Sequence, residues 1–258
     1  MPGNDDLALL VDAARASGEI AHRHWREAPE VWHKSDGAGP VTEADLEIDR
    51  MLNGELLAAR PNYGWLSEET EDSAARLDCE QVFIVDPIDG TRAFVNGERT
   101  FSHSLAVATD GRVTAAAVYL PMLDKLFTAT LAGPAALNGA PIHATKAPLD
   151  GASVLASRPN FSPEHWRGGP PPVTRHFRSS LAYRLCLVAE GRFDAMLTLR
   201  DTWEWDVAAG SLIAANAGAC VTDATGNAPA FNAPRPMLPG MIAAGPAVHD
   251  GLSRRLTK

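Results

Sequence analysis

The spacing of apolar residues predicts two helices at the start of the chain. The first follows the polar residues 4–6, which are typical of helix caps, and its apolar face is formed by Leu7, Leu10, Val11 and Ala14. The second begins near Thr42, has acids in its first turn, and ends at Arg60-Pro61; its apolar face is formed by Ile48, Met51, Leu52 and Leu56. Each helix should therefore place one face on a core.

Between residues 82 and 131 the pattern changes to short apolar or alternating runs, which are typical of strands. The runs span 82–85, 104–108, 113–120 and 126–131. Asp110-Gly111 joins two of them, as expected of a hairpin turn. Several antiparallel strands are therefore predicted in this part of the chain.

From residue 153 onwards candidate strands and helices alternate, which favours an α/β arrangement. The strand candidates are 153–156, 193–199, 219–222 and 241–244, and the helix candidates are 179–190, 206–217 and a last helix after Pro246. Prolines and glycines between Arg158 and Arg175 predict a long surface loop without regular structure. The change of pattern near 147–151 predicts two subdomains, 1–148 and 149–258.

Composition and charge narrow the classes of function. With 45% hydrophobic and 21% charged residues, the chain lies far from the composition of disordered proteins. Its formal net charge of −9 argues against a nucleic-acid polymer as partner, because such a partner requires clustered Lys and Arg. A phosphate ligand is still compatible with the acids, since bound cations reverse the local charge.

Two observations predict a cytoplasmic protein that is not inserted in a membrane. No run approaches the ~18 apolar residues of a membrane span. The N-terminus carries acids where a signal peptide would carry basic residues. Cys79, Cys186 and Cys220 lie far apart without a C-x-x-C pattern, so we interpret them as reduced thiols.

The sharpest candidate for chemistry is the hexapeptide D-P-I-D-G-T at 86–91, directly behind the apolar run 82–85. Asp86 and Asp89 leave one strand end together, and Gly90 allows the backbone to approach a bound group. Such a site can hold hard cations and phosphate oxygens together. The alternative is a D-G turn with solvated acids.

Three further pieces are ambiguous when taken alone. Glu68-Glu69 follows an apolar lead-in and is either a solvated charge pair or a pair of metal ligands. Asp206 stands at the start of an apolar helix, where an N-cap aspartate is common. Thr42 and Asp45 fit a capping arrangement equally well. His103, His143 and His249 lack the spacing of a metal motif, and we interpret them as structural or surface residues.

Together, these pieces resemble the inositol monophosphatase superfamily of Mg²⁺-dependent, Li⁺-sensitive phosphatases. The resemblance rests on D-P-I-D-G-T after a strand, W-D-x-A-A-G at 205–210, the preceding E-E pair and the upstream V-T-x-x-D, and it spans nearly the whole chain. It implies an α+β fold, a five-layer α-β-α-β-α sandwich of two subdomains with the active site between them. It also implies a homodimer.

The resemblance implies a metal centre of two to three Mg²⁺ ions. Glu68, Asp86 and the carbonyl of Ile88 would hold the first ion. Asp86, Asp89 and Asp206 would hold the second, and a third, weaker ion is expected near Glu68. Glu68 would thus also take part in catalysis.

The resemblance further assigns the attacking water to Asp45 and Thr91, with Glu69 in support. Phosphate would rest on the N–H groups of Gly90 and Thr91, beside Asp89. A metal-activated water fits these roles, because a bound metal lowers the pKa of water and stabilises the departing alkoxide. No protein nucleophile is then required.

The metal motifs do not separate the small phosphorylated metabolites that such enzymes hydrolyse. Leu66-Ser67-Glu68-Glu69 and the segment 186–191 resemble the bacterial bisphosphate nucleotidases and favour 3′-phosphoadenosine 5′-phosphate. Leu199 stands roughly where inositol phosphatases have a ring-binding glutamate, and Arg200 either meets a second phosphate or is a solvated charge. Inositol monophosphatase and histidinol phosphatase are the alternatives, and an inactive metal- or phosphate-binding relative is the alternative of another class.

Overall fold

The computed structural model describes residues 2–25, 31–33 and 40–257. In this part of the chain there are six helices: α1 (Pro2–His24), α2 (Glu43–Ala59), α3 (Thr91–Val95), α4 (Leu181–Ala189), α5 (Glu204–Asn216) and α6 (Pro246–Arg255). Five of them were predicted from sequence. The first begins earlier than predicted, so residues 4–6 lie in its opening turns rather than before it. The short helix α3 directly follows Gly90.

A large sheet carries the first half of the chain. An antiparallel pair, β1 (Val31–His33) and β2 (Pro40–Thr42), precedes α2. Seven strands then form the sheet in chain order: β3 (Gly64–Ser67), β4 (Gln81–Asp89), β5 (Ser102–Thr109), β6 (Arg112–Leu120), β7 (Lys125–Thr130), β8 (Ala136–Leu137) and β9 (Ala140–Pro141). The β3–β4 pair is parallel and the others are antiparallel, which confirms the predicted antiparallel strands.

A smaller mixed sheet carries the second half. The remaining strands are β10 (Ser153–Leu155), β11 (Thr174–His176), β12 (Ala195–Thr198), β13 (Thr202–Trp203), β14 (Cys220–Thr222), β15 (Met237–Leu238) and β16 (Met241–Ala244). Five of them form a sheet in the order β11-β10-β12-β16-β14, while β13 and β15 pair separately. Strand and helix alternate here as predicted. The division into 1–148 and 149–258 stays a prediction.

The elements stack in five layers, as the resemblance implied. One apolar core lies between the pair α1 and α2 and the large sheet. A second fills the space between the two sheets, where α4 and α5 pack on both. A third lies between the smaller sheet and α6. The fold is therefore the α-β-α-β-α sandwich, with α4 and α5 as its middle layer.

The prediction of a loop without regular structure between Arg158 and Arg175 is wrong in part. Two short 3₁₀ turns cover 158–161 and 163–165, and β11 begins at residue 174. The cause is Trp166, which is buried in the third core, stacks on Phe161 and donates its indole N–H to the carbonyl of Asn160 at 2.8 Å. A buried aromatic side chain thus fixes a segment whose prolines and glycines suggested a surface loop.

Candidate active site

A bulge near the end of β4 brings Asp86 and Asp89 together. Residues three apart on a regular strand point to opposite faces. Here Asp86 pairs with Ser104 and Asp89 with Ser102, so β4 contains one residue more than β5 between these pairs. The extra residue reverses the alternation, and both carboxylates reach the same side. Pro87, which cannot donate a ladder hydrogen bond, lies within the bulge.

Asp206 completes a cluster of three carboxylates. It is the third residue of α5, whose N-cap is Trp203, so the alternative of an N-cap aspartate is wrong. One oxygen each from Asp86, Asp89 and Asp206 lies within 4.8 Å of the other two. Hard cations prefer carboxylate oxygens at such spacing. The cluster therefore joins the end of β4 to the start of α5.

The electrostatics of the cluster favour a bound cation. Burial, followed by the charges of Glu68, Asp89 and Asp206, holds the pKa of Asp86 well above its usual range. Burial, followed by the charges of Asp89 and Glu68, does the same to the pKa of Asp206. Both side-chain oxygens of Asp86 are buried and have no hydrogen-bond partner among the described residues. Since buried carboxylates without partners are costly unless they bind a cation, the residues present fit a metal ion.

Asp89 is held from the other side by the start of α4. Its Oδ2 accepts hydrogen bonds from Ser180 Oγ at 2.6 Å and from the Ala182 N–H at 2.7 Å. Ser180 is also the N-cap of α4. Burial raises the pKa of Asp89 to about 6, and these hydrogen bonds oppose the rise. One oxygen of Asp89 is thus fixed by α4, while the carboxylate still contributes to the cluster.

Asp45 reaches the site through Thr91. The capping box predicted at the start of α2 is present: Asp45 Oδ2 accepts from the Thr42 N–H at 2.8 Å and from the Thr42 hydroxyl at 2.5 Å. Its Oδ1 lies 3.3 Å from Thr91 Oγ1, which is also 3.1 Å from the carbonyl of Ile88. Asp45 is 1% exposed. Capping and site contact are therefore two uses of one carboxylate.

A cleft of about 590 Å³ opens beside the cluster. Its lining includes these residues that the sequence singled out: Glu68, Asp86, Ile88, Asp89, Gly90, Thr91, Arg200 and Asp206. Glu69 and Asp45 do not line the cleft, although the charge of Glu69 still contributes to the raised pKa of Asp86. Gly90 has φ of 99°, a left-handed conformation that side chains rarely adopt, so it turns the chain from β4 into α3.

Sequence reasoning missed several residues at this site. Ser180 was visible only as a polar residue before an apolar helix. Phe177, Trp203 and Met237 line the cleft, and Trp203 stacks on Trp205 with ring centroids 4.6 Å apart. Leu199, by contrast, packs against the third core. The tryptophans just before Asp206 were the one signal in the sequence for the aromatic side of the cleft.

Comparisons with known proteins agree with this fold. The sequence profile of the Inositol monophosphatase family matches residues 4–257. An inositol-1-monophosphatase from Rhizobium meliloti is 33% identical over 93% of this chain and 91% of its own, and inositol monophosphatase 1 from Solanum lycopersicum is 32% identical over 86% and 85%. The crystal structure of the extragenic suppressor protein suhB from Bartonella henselae superposes with a TM-score of 0.82 at 28% identity, covering 97% of each chain.

A layered α+β fold with a carboxylate cluster at the end of β4 thus has well-matched relatives among phosphatases. The chain belongs to the inositol monophosphatase family, whose members are metal-dependent phosphatases. Among the residues described, none of the helices has the length and apolar character needed to span a bilayer. The expected homodimer and cytoplasmic location stay predictions.

Proposed function

We propose that this protein is a Mg²⁺-dependent phosphomonoesterase that hydrolyses a small phosphorylated metabolite with water. The observation that carries the proposal is the cluster of Asp86, Asp89 and Asp206, in which both buried oxygens of Asp86 lack a hydrogen-bond partner within the part of the chain that the structure describes. Carboxylate and carbonyl oxygens suit Mg²⁺. Glu68 and the carbonyl of Ile88 would complete a set for two to three ions.

Bound Mg²⁺ supplies Lewis-acid stabilisation of the phosphoryl oxygens and lowers the pKa of water. The residues of the chain orient the reactants. Asp45, whose Oδ2 is occupied by Thr42, has Oδ1 directed to Thr91, so these two side chains can hold a water and accept its proton. Glu69 would support them without lining the cleft itself.

Phosphate would be bound at the turn that Gly90 creates. The left-handed backbone of Gly90 leads into α3, whose first residue is Thr91, and the first N–H groups of a helix lack partners within the helix. These groups lie on the same turn as Asp89. A phosphoryl group held there would contact the metals on one side and the water of Asp45 and Thr91 on another.

Metal dependence and one substitution test the proposed reaction. Asp89→Asn should reduce turnover of a phosphomonoester more than about tenfold, because Asp89 holds charge that the transition state requires. Phosphate release is measured with Mg²⁺, with Ca²⁺ and after chelation. Ca²⁺ should activate poorly because it does not impose octahedral geometry.

Asp250→Asn, an exposed position on α6, is the matched control and should retain activity. Near wild-type turnover by Asp89→Asn in saturating Mg²⁺ would contradict the proposed ligand. A wild-type protein that binds metal yet releases no phosphate from any ester in a broad panel would favour the inactive relative.

For the substrate, we propose 3′-phosphoadenosine 5′-phosphate, with inositol 1-phosphate as the competing candidate. Support for the first comes from Arg200, an exposed cation that lines the cleft near Asp206 and could meet a second phosphate. The second candidate is favoured by the names of the relatives from Rhizobium meliloti and Solanum lycopersicum.

Arg200→Ala separates these candidates. A charge-assisted hydrogen bond to phosphate contributes on the order of 1.5–3 kcal/mol, so kcat/KM for the bisphosphate should fall roughly tenfold to hundredfold more than for inositol 1-phosphate. The measurement is a ratio of ratios, in which general damage to the enzyme cancels. Arg254→Ala, exposed on α6, is the control. A ratio near one, with wild-type preference for inositol 1-phosphate, would establish the competing candidate.

A further inference from the structure

Asp49 lies on α2, one turn after Asp45, and uses both carboxylate oxygens on one short segment. Its Oδ1 accepts a hydrogen bond from Ser67 Oγ at 2.5 Å, and its Oδ2 accepts one from Thr70 Oγ1 at 2.6 Å. Asp49 is 7% exposed. These two hydroxyls flank Glu68 and Glu69 in the sequence. One buried carboxylate therefore binds both ends of residues 67–70, which we call the gripped segment.

The direction of each hydrogen bond follows from the carboxylate, whose oxygens only accept. The Trp65 indole N–H donates to Thr70 Oγ1 at 3.2 Å, and the Glu69 N–H donates to Ser67 Oγ at 3.4 Å. Each hydroxyl thus gives its proton to Asp49 and also accepts a hydrogen bond from one of these N–H groups. Two hydroxyl donors require two acceptor oxygens, which a carboxylate has and an amide does not.

The gripped segment begins at Ser67, where β3 ends and its parallel pairing with β4 stops. Ser67, the last residue of β3, is in register with Val85 of β4, the residue before Asp86. The Glu68 N–H donates to the carbonyl of Val85 at 3.2 Å. Any shift of Ser67 or Thr70 would thus move Glu68 relative to the carboxylate cluster.

We propose that Asp49 is a positioning residue that sets the place of Glu68 at the metal site. The inference rests on the proposed function, since that function makes Glu68 a metal ligand. Partners that orient metal ligands strongly affect metal affinity, and removing one typically weakens affinity or activity about tenfold to hundredfold. Asp49 acts through Ser67 and Thr70 and does not itself line the cleft.

Metal affinity without turnover tests this role. Mn²⁺ binding to the full chain, followed by electron paramagnetic resonance, should weaken about tenfold to hundredfold in Asp49→Asn. Ser67→Ala and Thr70→Val, which leave the charge of Asp49 intact, should weaken binding in the same direction. The double variant Asp49→Asn/Ser67→Ala should lose less than the sum of the single losses, because both act through one contact.

Glu55→Gln is the matched control, since it removes an exposed carboxylate from the same helix α2 without touching the gripped segment. It should bind Mn²⁺ like the wild type. If Glu55→Gln loses as much affinity as Asp49→Asn, the effect is general electrostatics and the inference is wrong. The inference also fails if Ser67→Ala and Thr70→Val bind like the wild type.

Failure of the proposed function has a different signature. In that case the wild-type chain itself would release no phosphate, whether or not it binds Mn²⁺. Near-ultraviolet circular dichroism of each variant separates local repositioning from unfolding. If Asp49→Asn does not fold, the Mn²⁺ affinities of Ser67→Ala and Thr70→Val decide whether the inference holds.

Discussion

His103 lies behind the hexapeptide and contacts its backbone. Its side chain is fully buried, and Nδ1 is 2.5 Å from the carbonyl of Pro87. Because a carbonyl only accepts, Nδ1 carries the proton. Burial lowers the pKa of His103 to about 4. The interpretation of His103 as a structural residue is consistent with this contact, which supports the bulge that gathers Asp86 and Asp89.

The lowered pKa of His103 predicts a loss of stability in acid. Between the ordinary value of 6.5 and about 4, the unfolded chain binds a proton at His103 and the folded chain does not. The contribution of His103 to the free energy of unfolding is therefore complete above pH 6.5. It declines as pH falls, by roughly 2–3 kcal/mol at pH 4.5. Urea unfolding at pH 7 and at pH 4.5, with chelator present, measures this loss of stability.

His103→Asn supplies the reference, since it lacks the titrating ring while other groups remain. The wild type should lose more stability than this variant between pH 7 and 4.5. Parallel losses in the two proteins would mean that His103 does not bind its proton differently on folding.

Asp45 shows why sequence alone left some roles open. Its motif fits a helix cap and a water-activating acid equally well, and the structure contains the cap together with a contact to Thr91. A carboxylate has two oxygens and can serve two neighbours. The cap is local and could be predicted, but the contact to Thr91 depends on how α2 meets the end of β4.

At the scale of elements, the glycine of W-D-x-A-A-G has a packing reason. Gly210 lies in α5 where α4 crosses it, and a Cβ built there would meet Leu185 Cβ at 2.6 Å and Cδ1 at 2.7 Å. Real Cβ atoms do not approach so closely. The two helices of the middle layer can therefore approach this closely only because residue 210 has no side chain.

Gly210→Ala should destabilise the protein despite the better helix propensity of alanine. Overpacking costs about 1–3 kcal/mol, and the propensity gain of at most ~1 kcal/mol offsets it only in part. Urea unfolding measures the free energy of both proteins. Since Leu185→Ala keeps Cβ but removes Cδ1, the double variant Gly210→Ala/Leu185→Ala should lose less stability than the sum of the two single losses.

Gly54→Ala in α2 is the control, since a Cβ there meets nothing within 4 Å. This second substitution should stabilise by up to ~1 kcal/mol. Equal, stabilising effects at both positions would show that α4 and α5 separate freely and that Gly210 is not a packing requirement.

Periodicity predicted the long elements well and the short ones poorly. The apolar runs of β4 to β7 and the helices α2, α4 and α5 appear close to their predicted bounds. Strands such as β3, β8 and β13 were missed because two to four residues give too little pattern. Bounds near the site also differ: β4 continues through the bulge to Asp89, since side-chain spacing does not reveal an extra residue.

At the scale of the whole molecule, contacts between distant segments escaped prediction. Arg76, which is 2% exposed, donates to Asn232 Oδ1 at 2.6 Å and to the carbonyl of Ala233 at 2.9 Å. Glu204, the first residue of α5, accepts the N–H groups of Asn232 and Ala233. Through residues 232–233, these hydrogen bonds connect α5 to Arg76. The residues meet only when the layers have assembled.

The division of the carboxylate cluster between β4 and α5 also matters while the chain is being made. Asp86 and Asp89 leave the ribosome well before Asp206, because synthesis proceeds from the N-terminus. A nascent chain thus holds only two of the three clustered carboxylates until α5 has emerged and packed on the large sheet. Any capacity of the cluster to bind a divalent ion should therefore arise late in translation, together with completion of the middle layer.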